Sequence, residues 1–206
     1  MRIAQCSKNM RNKRMEAHLD RERRGRAQNV LGKMYQSGDG IPHNFPEAVK
    51  CFREAAELGD VNGLYNLGRM YQRGTEVNRN YREAEKCFRK AALKGYDKAQ
   101  YCLGVLCEKG MGVPQDIKEA EKWKFKAAQQ GEARAQNHYG VKYAKGEGVE
   151  KDFKVAYVWL HLAFMQGNKR AKKNITILAE KMSPEQIFDA KQMIAGWKPK
   201  ARDIVK

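Results

Sequence analysis

The sequence predicts an all-α solenoid of four helix-turn-helix repeats closed by a C-terminal helical cap. Two observations carry this expectation. The pairs Leu31-Gly32, Leu67-Gly68, Leu103-Gly104 and Tyr139-Gly140 recur every 36 residues, and other columns keep the same register: Gly38, Gly74, Gly110, Gly146; Gly59, Gly95, Gly131, Gly167; Ala48, Ala84, Ala120, Ala156. Each period also contains two apolar stretches with the i, i+3, i+4, i+7 spacing of amphipathic helices, such as Leu64, Leu67, Tyr71 and then Tyr81, Ala84, Phe88, Ala91. A unit this short cannot bury a core alone, so neighbours must stack.

The elements follow in order. Residues 1–25 hold eight basic residues (Arg2, Lys8, Arg11, Lys13, Arg14, Arg21, Arg23, Arg24) against Glu16, Asp20 and Glu22. This basic N-terminal extension reads as a frayed helix resting Met15 and Leu19 on the first unit, or as an electrostatic arm for an acidic partner. Repeats then span 26–61, 62–97, 98–133 and 134–167. In each, a first helix (helix A) ends at the first glycine column and a second (helix B) at the next, where a left-handed residue terminates a helix. Asn44 with Glu47, Asn80 with Glu83 and Asp116 with Glu119 read as capping boxes opening helix B, while Asp152 faces Val155 and keeps half of one. Gly32, Gly68, Gly104 and Gly140 fall inside helix A, where glycine costs roughly 1 kcal/mol against alanine. Close approach to the alanines of helix B, with Tyr35, Tyr71 and Tyr143 filling the layer between units, accounts for them. Residues 168–206 form the cap and a basic tail: Ala171, Ile175, Leu178 and Met182 keep helical spacing, and Ser183-Pro184-Glu185-Gln186 starts a last helix running to Trp197.

The motif survey excludes several classes. Ser7, Ser37 and Ser183 all lack a lysine three residues on, so the nucleophile of a penicillin-binding or β-lactamase enzyme is missing. His18, His43, His138 and His161 occupy different columns and none belongs to a His-Glu-x-x-His pattern. Of Cys6, Cys51, Cys87, Cys102 and Cys107 none is spaced Cys-x-x-Cys, so no zinc is expected, nor any cofactor, and an odd set of thiols reads as reduced. Cys51 and Cys87 share a column with Trp123 and Trp159, an apolar packing position. Asn174-Ile175-Thr176 matches a glycosylation acceptor, but inside a helix it is discounted. No membrane span and no secretory signal is legible, which points to the cytosol. Ile3-Ala4-Gln5-Cys6 outlines a lipoprotein cleavage box without its apolar segment; a start further upstream would change the compartment.

The runs Gly-Leu-Tyr-Asn-Leu-Gly-Arg-Met-Tyr-Gln-Arg-Gly (63–74) and Asn-Tyr-Arg-Glu-Ala-Glu-Lys-Cys-Phe-Arg-Lys-Ala-Ala (80–92), with Gly95 and the later Gly110-Met-Gly-Val-Pro-Gln-Asp, resemble the Sel1-like repeat, a relative of the tetratricopeptide array. The resemblance covers residues 26–167. It implies a right-handed α/α superhelix that serves as an adaptor or scaffold for protein complexes, often in bacteria, and implies no single activity.

By analogy with the tetratricopeptide array, four columns of helix A line the concave side: Arg26, Asn62, Lys98, Arg134; Asn29, Tyr65, Tyr101, Asn137; Lys33, Arg69, Val105, Val141; Ser37, Arg73, Lys109, Lys145. Such a groove is cationic with a tyrosine centre, suited to an acidic or mixed peptide, with Lys33, Tyr65, Arg69, Arg73, Tyr101, Lys109 and Lys145 as the candidate contacts. The alternative partner is nucleic acid or another anionic surface. It is motivated by the formal charge of +17, the N-terminal arm and the tail with Lys198, Lys200, Arg202 and Lys206, though no reader motif accompanies them.

Overall fold

A computed structural model describes residues 2–74 and 77–196, with side chains from residue 13 onward. Trp197, the basic tail and the side chains of Ile3–Cys6 therefore lie outside the described residues. Those described form ten helices and no strand. The chain divides into two compact units, residues 1–94 with 111–113 and residues 95–110 with 114–206.

The first unit contains α1 (Arg2–Ser37), α2 (Phe45–Glu57), α3 (Val61–Arg73) and α4 (Tyr81–Leu93). The second contains α5 (Asp97–Lys109), α6 (Ile117–Gln129), α7 (Ala133–Lys145), α8 (Phe153–Met165), α9 (Lys169–Ala179) and α10 (Pro184–Ala195). The A helices are α1, α3, α5 and α7; the B helices are α2, α4, α6 and α8.

The glycine stops behave as their chemistry requires. Gly74 and Gly110 end A helices at φ 72° and 65°, Gly59 and Gly95 follow B helices at 87° and 84°, and the remaining members of both columns are left-handed too. The alanine columns are fully buried at Ala48, Ala84, Ala120 and Ala156. What lies over the glycine inside helix A, however, is chiefly the residue one turn beyond that alanine. A Cβ on Gly68 would stand 2.8 Å from the Phe88 ring, and one on Gly32 2.7 Å from that of Phe52. Both rings are 0% exposed, and burying each contributes about 2–3 kcal/mol, more than the glycine costs.

In the first unit Ala48, Val49, Phe52, Leu67, Met70 and Cys87 make one core, with Tyr35 and Tyr71 packed against it. In the second, Trp159 and Tyr139 pack with Ala127, Ala128 and Ala135. There α9 and α10 lie on α8 through Leu178, Met182 and Ala190, closing the last repeat. The Cys51, Cys87, Trp123, Trp159 column is buried throughout, at 5–9% exposure. Cys51, Cys87, Cys102 and Cys107 are free thiols.

Three expectations need correction. The leucine column is core at Leu67, Leu103 and Tyr139, but Leu31 is 36% exposed. No B helix precedes it, and it borders an open hollow of about 460 Å³ beside Ala27 and Leu58. The capping boxes are half boxes. Asn80 Oδ1 accepts from the Glu83 amide at 3.1 Å, but the Asn80 amide donates to the Tyr71 carbonyl of the preceding helix. Asn44, Asp116 and Asp152 donate likewise to Tyr35, Cys107 and Tyr143. With that donor already taken, Glu83 turns to Lys86 and Val155 sacrifices nothing; among the described residues Ser183 and Gln186 form the reciprocal pair. Finally, α1 runs unbroken through residue 25, and Met15 and Leu19 are 58% and 44% exposed rather than packed.

Candidate functional site

The faces of the A helices left free by the core are the candidate site. On α1 and α3 they carry Lys33, Arg69 and Arg73, with Lys33 and Arg73 exposed. Tyr65, expected on the open wall, is 9% exposed. Its ring packs toward Phe88, with centroids 6.0 Å apart, and its hydroxyl accepts from Arg69 Nη1 at 2.8 Å. Tyr65 thus holds the guanidinium in place instead of offering its own ring. Asn29 in the same column is also buried; its Oδ1 accepts from Asn66 Nδ2 at 2.8 Å, tying α1 to α3. Asn174 makes the equivalent bond to Asn137 at 2.9 Å, tying α9 to α7. This column therefore joins successive helices in addition to lining a face, because a residue one turn short of the apolar stripe still faces its neighbour.

In the second unit Tyr101 is half-buried, and the Arg134 guanidinium sits 4.6 Å from its ring centroid, within cation–π range. Burial pushes the Tyr101 hydroxyl up, partly opposed by Arg134. Lys109 and Lys145 are exposed; Lys145 meets Glu147 at 3.1 Å. In both units, then, tyrosine supports an arginine, and the accessible chemistry is cationic. Lys33, Arg73 and Lys109 have no ion-pair partner among the described residues.

The remaining singled-out residues do not converge. Ser37 Oγ donates to the Lys33 carbonyl at 3.0 Å. His18 faces Glu22 at 3.5 Å, His43 stacks edge-on to Phe45 and His161 lies over Tyr157. Cys87 is pushed up to about 11 by burial and by Glu83, far from the thiolate a reactive cysteine needs. Among the described residues no group of three His, Cys, Asp or Glu is placed to hold a metal.

One constellation escaped the sequence reading. Lys124, in the Phe52, Phe88, Leu160 column, is 1% exposed and reaches Glu108 at 2.5 Å. Beside it Glu121 of α6 takes hydrogen bonds from Lys142 and from the Tyr139 hydroxyl (3.2 Å), with His138 at 3.5 Å. Burial would raise the Glu121 carboxyl, but Lys142 and His138 outweigh it and hold it low. Burial and then Lys124 hold His138 below its usual value, against the pull of Glu121. Lys124 and Lys142 break otherwise apolar columns, and that departure is the signal that would have revealed the network. It is a structural ion-pair cluster in which each charge has its partner.

Stacked α/α hairpins whose A helices carry cationic faces define a helical repeat module. The Sel1 repeat model matches residues 25–60, 61–96, 97–132 and 133–168. The chain belongs to the Sel1 repeat family. It is similar to a crystal structure of a Sel1 repeat protein from Oxalobacter formigenes, with 30% identity and a TM-score of 0.68, over 85% of this chain and 72% of that one. It is also similar to c5321, a protective antigen present in uropathogenic Escherichia coli strains displaying an SLR fold. There the identity is 32% and the TM-score 0.72 over 84% of this chain, which spans 37% of the antigen's length. None of the curated proteins matches the sequence. Repeats of this family commonly mediate protein–protein interaction. No helix among the described residues is long and apolar enough to cross a membrane.

Proposed function

We propose that this protein is a non-enzymatic adaptor whose A-helix faces bind an acidic or mixed peptide segment of a partner protein. The observation that carries the reading is Arg69. Its guanidinium is anchored through one nitrogen to the Tyr65 hydroxyl, which leaves the opposite edge of the fork oriented for a carboxylate, next to the exposed Arg73. Lys33 on the first unit, and Tyr101 with Arg134, Lys109 and Lys145 on the second, extend the same chemistry. Arginines already held in place lose less rotamer freedom on binding than free ones.

Arg69→Glu combined with Arg73→Glu tests this. Arg73 is exposed and Arg69 half-buried over Tyr65, so the double change gives up about one hydrogen bond and the thermal midpoint should fall by only about 2–4 °C, while affinity for acidic peptides falls at least about tenfold. Retained affinity removes these faces from consideration. The second reading, an anionic nucleic-acid surface, rests on the formal charge of +17 and on basic α1. A gel-shift titration separates the two: backbone neutralisation would give a steep loss of affinity with salt, whereas peptide capture should survive excess random DNA.

A further inference from the structure

One column of the A helices, continued into the cap helix α9, changes character along the chain. Lys33 and Arg69 hold it on α1 and α3, whereas α5, α7 and α9 carry Val105, Val141 and Ile177 at the equivalent places. Between α7, α8 and α9 this leaves an open hollow of about 180 Å³. Phe153, Leu160 and Leu178 line its floor, Val141 and Ile177 its walls, and Lys145 and Lys181 its rim. Ile177 is 45% exposed. One repeat earlier the positions of Ala144, Leu160 and Leu178 are taken by Glu108, Lys124 and Lys142, whose ion pairs occupy them. The apolar hollow therefore belongs to the last repeat and its cap.

We propose that this hollow is a side-chain socket for a partner peptide in which a leucine-, methionine- or phenylalanine-sized residue stands next to an aspartate or glutamate. The proposal rests on the peptide-binding reading above and adds what the peptide must contain. Size favours one side chain: the volume is below the roughly 300 Å³ at which small-molecule sites begin. The lining supplies an apolar floor that hydration leaves unfavourably wet. The rim supplies the charge. Lys145 already holds the Glu147 carboxylate at 3.1 Å with both side chains more than 60% exposed, a contact weak enough to be exchanged for a partner's carboxylate. Lys181, in the turn just past the end of α9 and lining the same hollow, is exposed as well.

The test selects a phage-displayed random 12-residue peptide library on the full chain, about twelve residues being enough to span such a face in extended form. Binding of the synthesised winners is then measured by fluorescence anisotropy. The expected consensus pairs an apolar residue with an adjacent acid. Ile177→Lys, and separately Lys145→Glu with Lys181→Glu, should each weaken the winners at least about tenfold. The lysine pair is exposed, and surface substitutions of this kind change stability little, so it decides the matter if Ile177→Lys melts early. A consensus without the apolar–acidic pair, or winners indifferent to both variants, overturns the socket. Loss on Arg69→Glu with Arg73→Glu but not on the socket variants leaves the adaptor reading standing and the socket wrong; loss on the socket variants alone leaves the socket standing and the arginines wrong. No enrichment at all counts against both. A dimer in sedimentation that dissociates on Ile177→Lys would give the hollow to a second copy of the chain and end the proposal.

Discussion

Tyr65 shows what a single residue can hide from a sequence. Its spacing placed it on the open face, but an aromatic ring is long enough to fold back onto Phe88, and its hydroxyl then finds Arg69 because a buried Tyr O–H seeks a partner. The cationic residues Lys33, Arg73, Lys109 and Lys145 were legible as exposed, since a charge without a buried partner has nowhere else to go. Lys124 was not, because its burial depends on Glu108 arriving from the neighbouring helix. The same cluster makes a pH prediction. In the folded protein His138 sits below its usual value of 6.5 and Glu121 below 4.5, so the unfolded chain takes up both protons first as pH falls. Stability is then full above the unfolded values and declines on acidification, His138 acting first and Glu121 later. The urea midpoint should fall from about pH 7.5 to about pH 5.5, and His138→Gln should flatten that stretch. An unchanged slope in the variant would mean that other groups dominate.

At the scale of elements, the helices were readable because period, glycine stops and caps agreed with one another. The reciprocal arm of the capping boxes was not, since whether an N-cap amide is free depends on the helix before it. Tyr71 supplies that carbonyl for Asn80, and Tyr35 does so for Asn44. This separates two substitutions on one helix. Asn80→Ala removes the bond to the Glu83 amide and should cost about 1 kcal/mol; Glu83→Ala removes only an exposed pair with Lys86 and should cost less than about 0.5 kcal/mol. Thermal or urea melts of the two variants check it, and equal losses would restore the full box. The length of α1 was equally invisible, because the charge pattern of residues 1–25 contains no apolar stripe, whereas α1 continues without a break into the first repeat.

For the whole molecule the claim is a division of labour: B helices and the buried side of the A helices make the core, and the other side of the A helices is left for a partner. The sequence showed the first half through its columns, since Ala48, Ala84, Ala120 and Ala156 are buried without exception. The second half is the proposal, and it rests on what the columns left over: on each unit an arginine supported by a tyrosine, Arg69 by Tyr65 and Arg134 by Tyr101. Hydrogen–deuterium exchange at saturation with a selected acidic peptide measures the division directly. Slowed exchange on α1, α3, α5 and α7, and around the hollow on α8 and α9, with α2, α4 and α6 unchanged, is the predicted result; slowing in those three B helices, or in none of the helices at saturation, would contradict it.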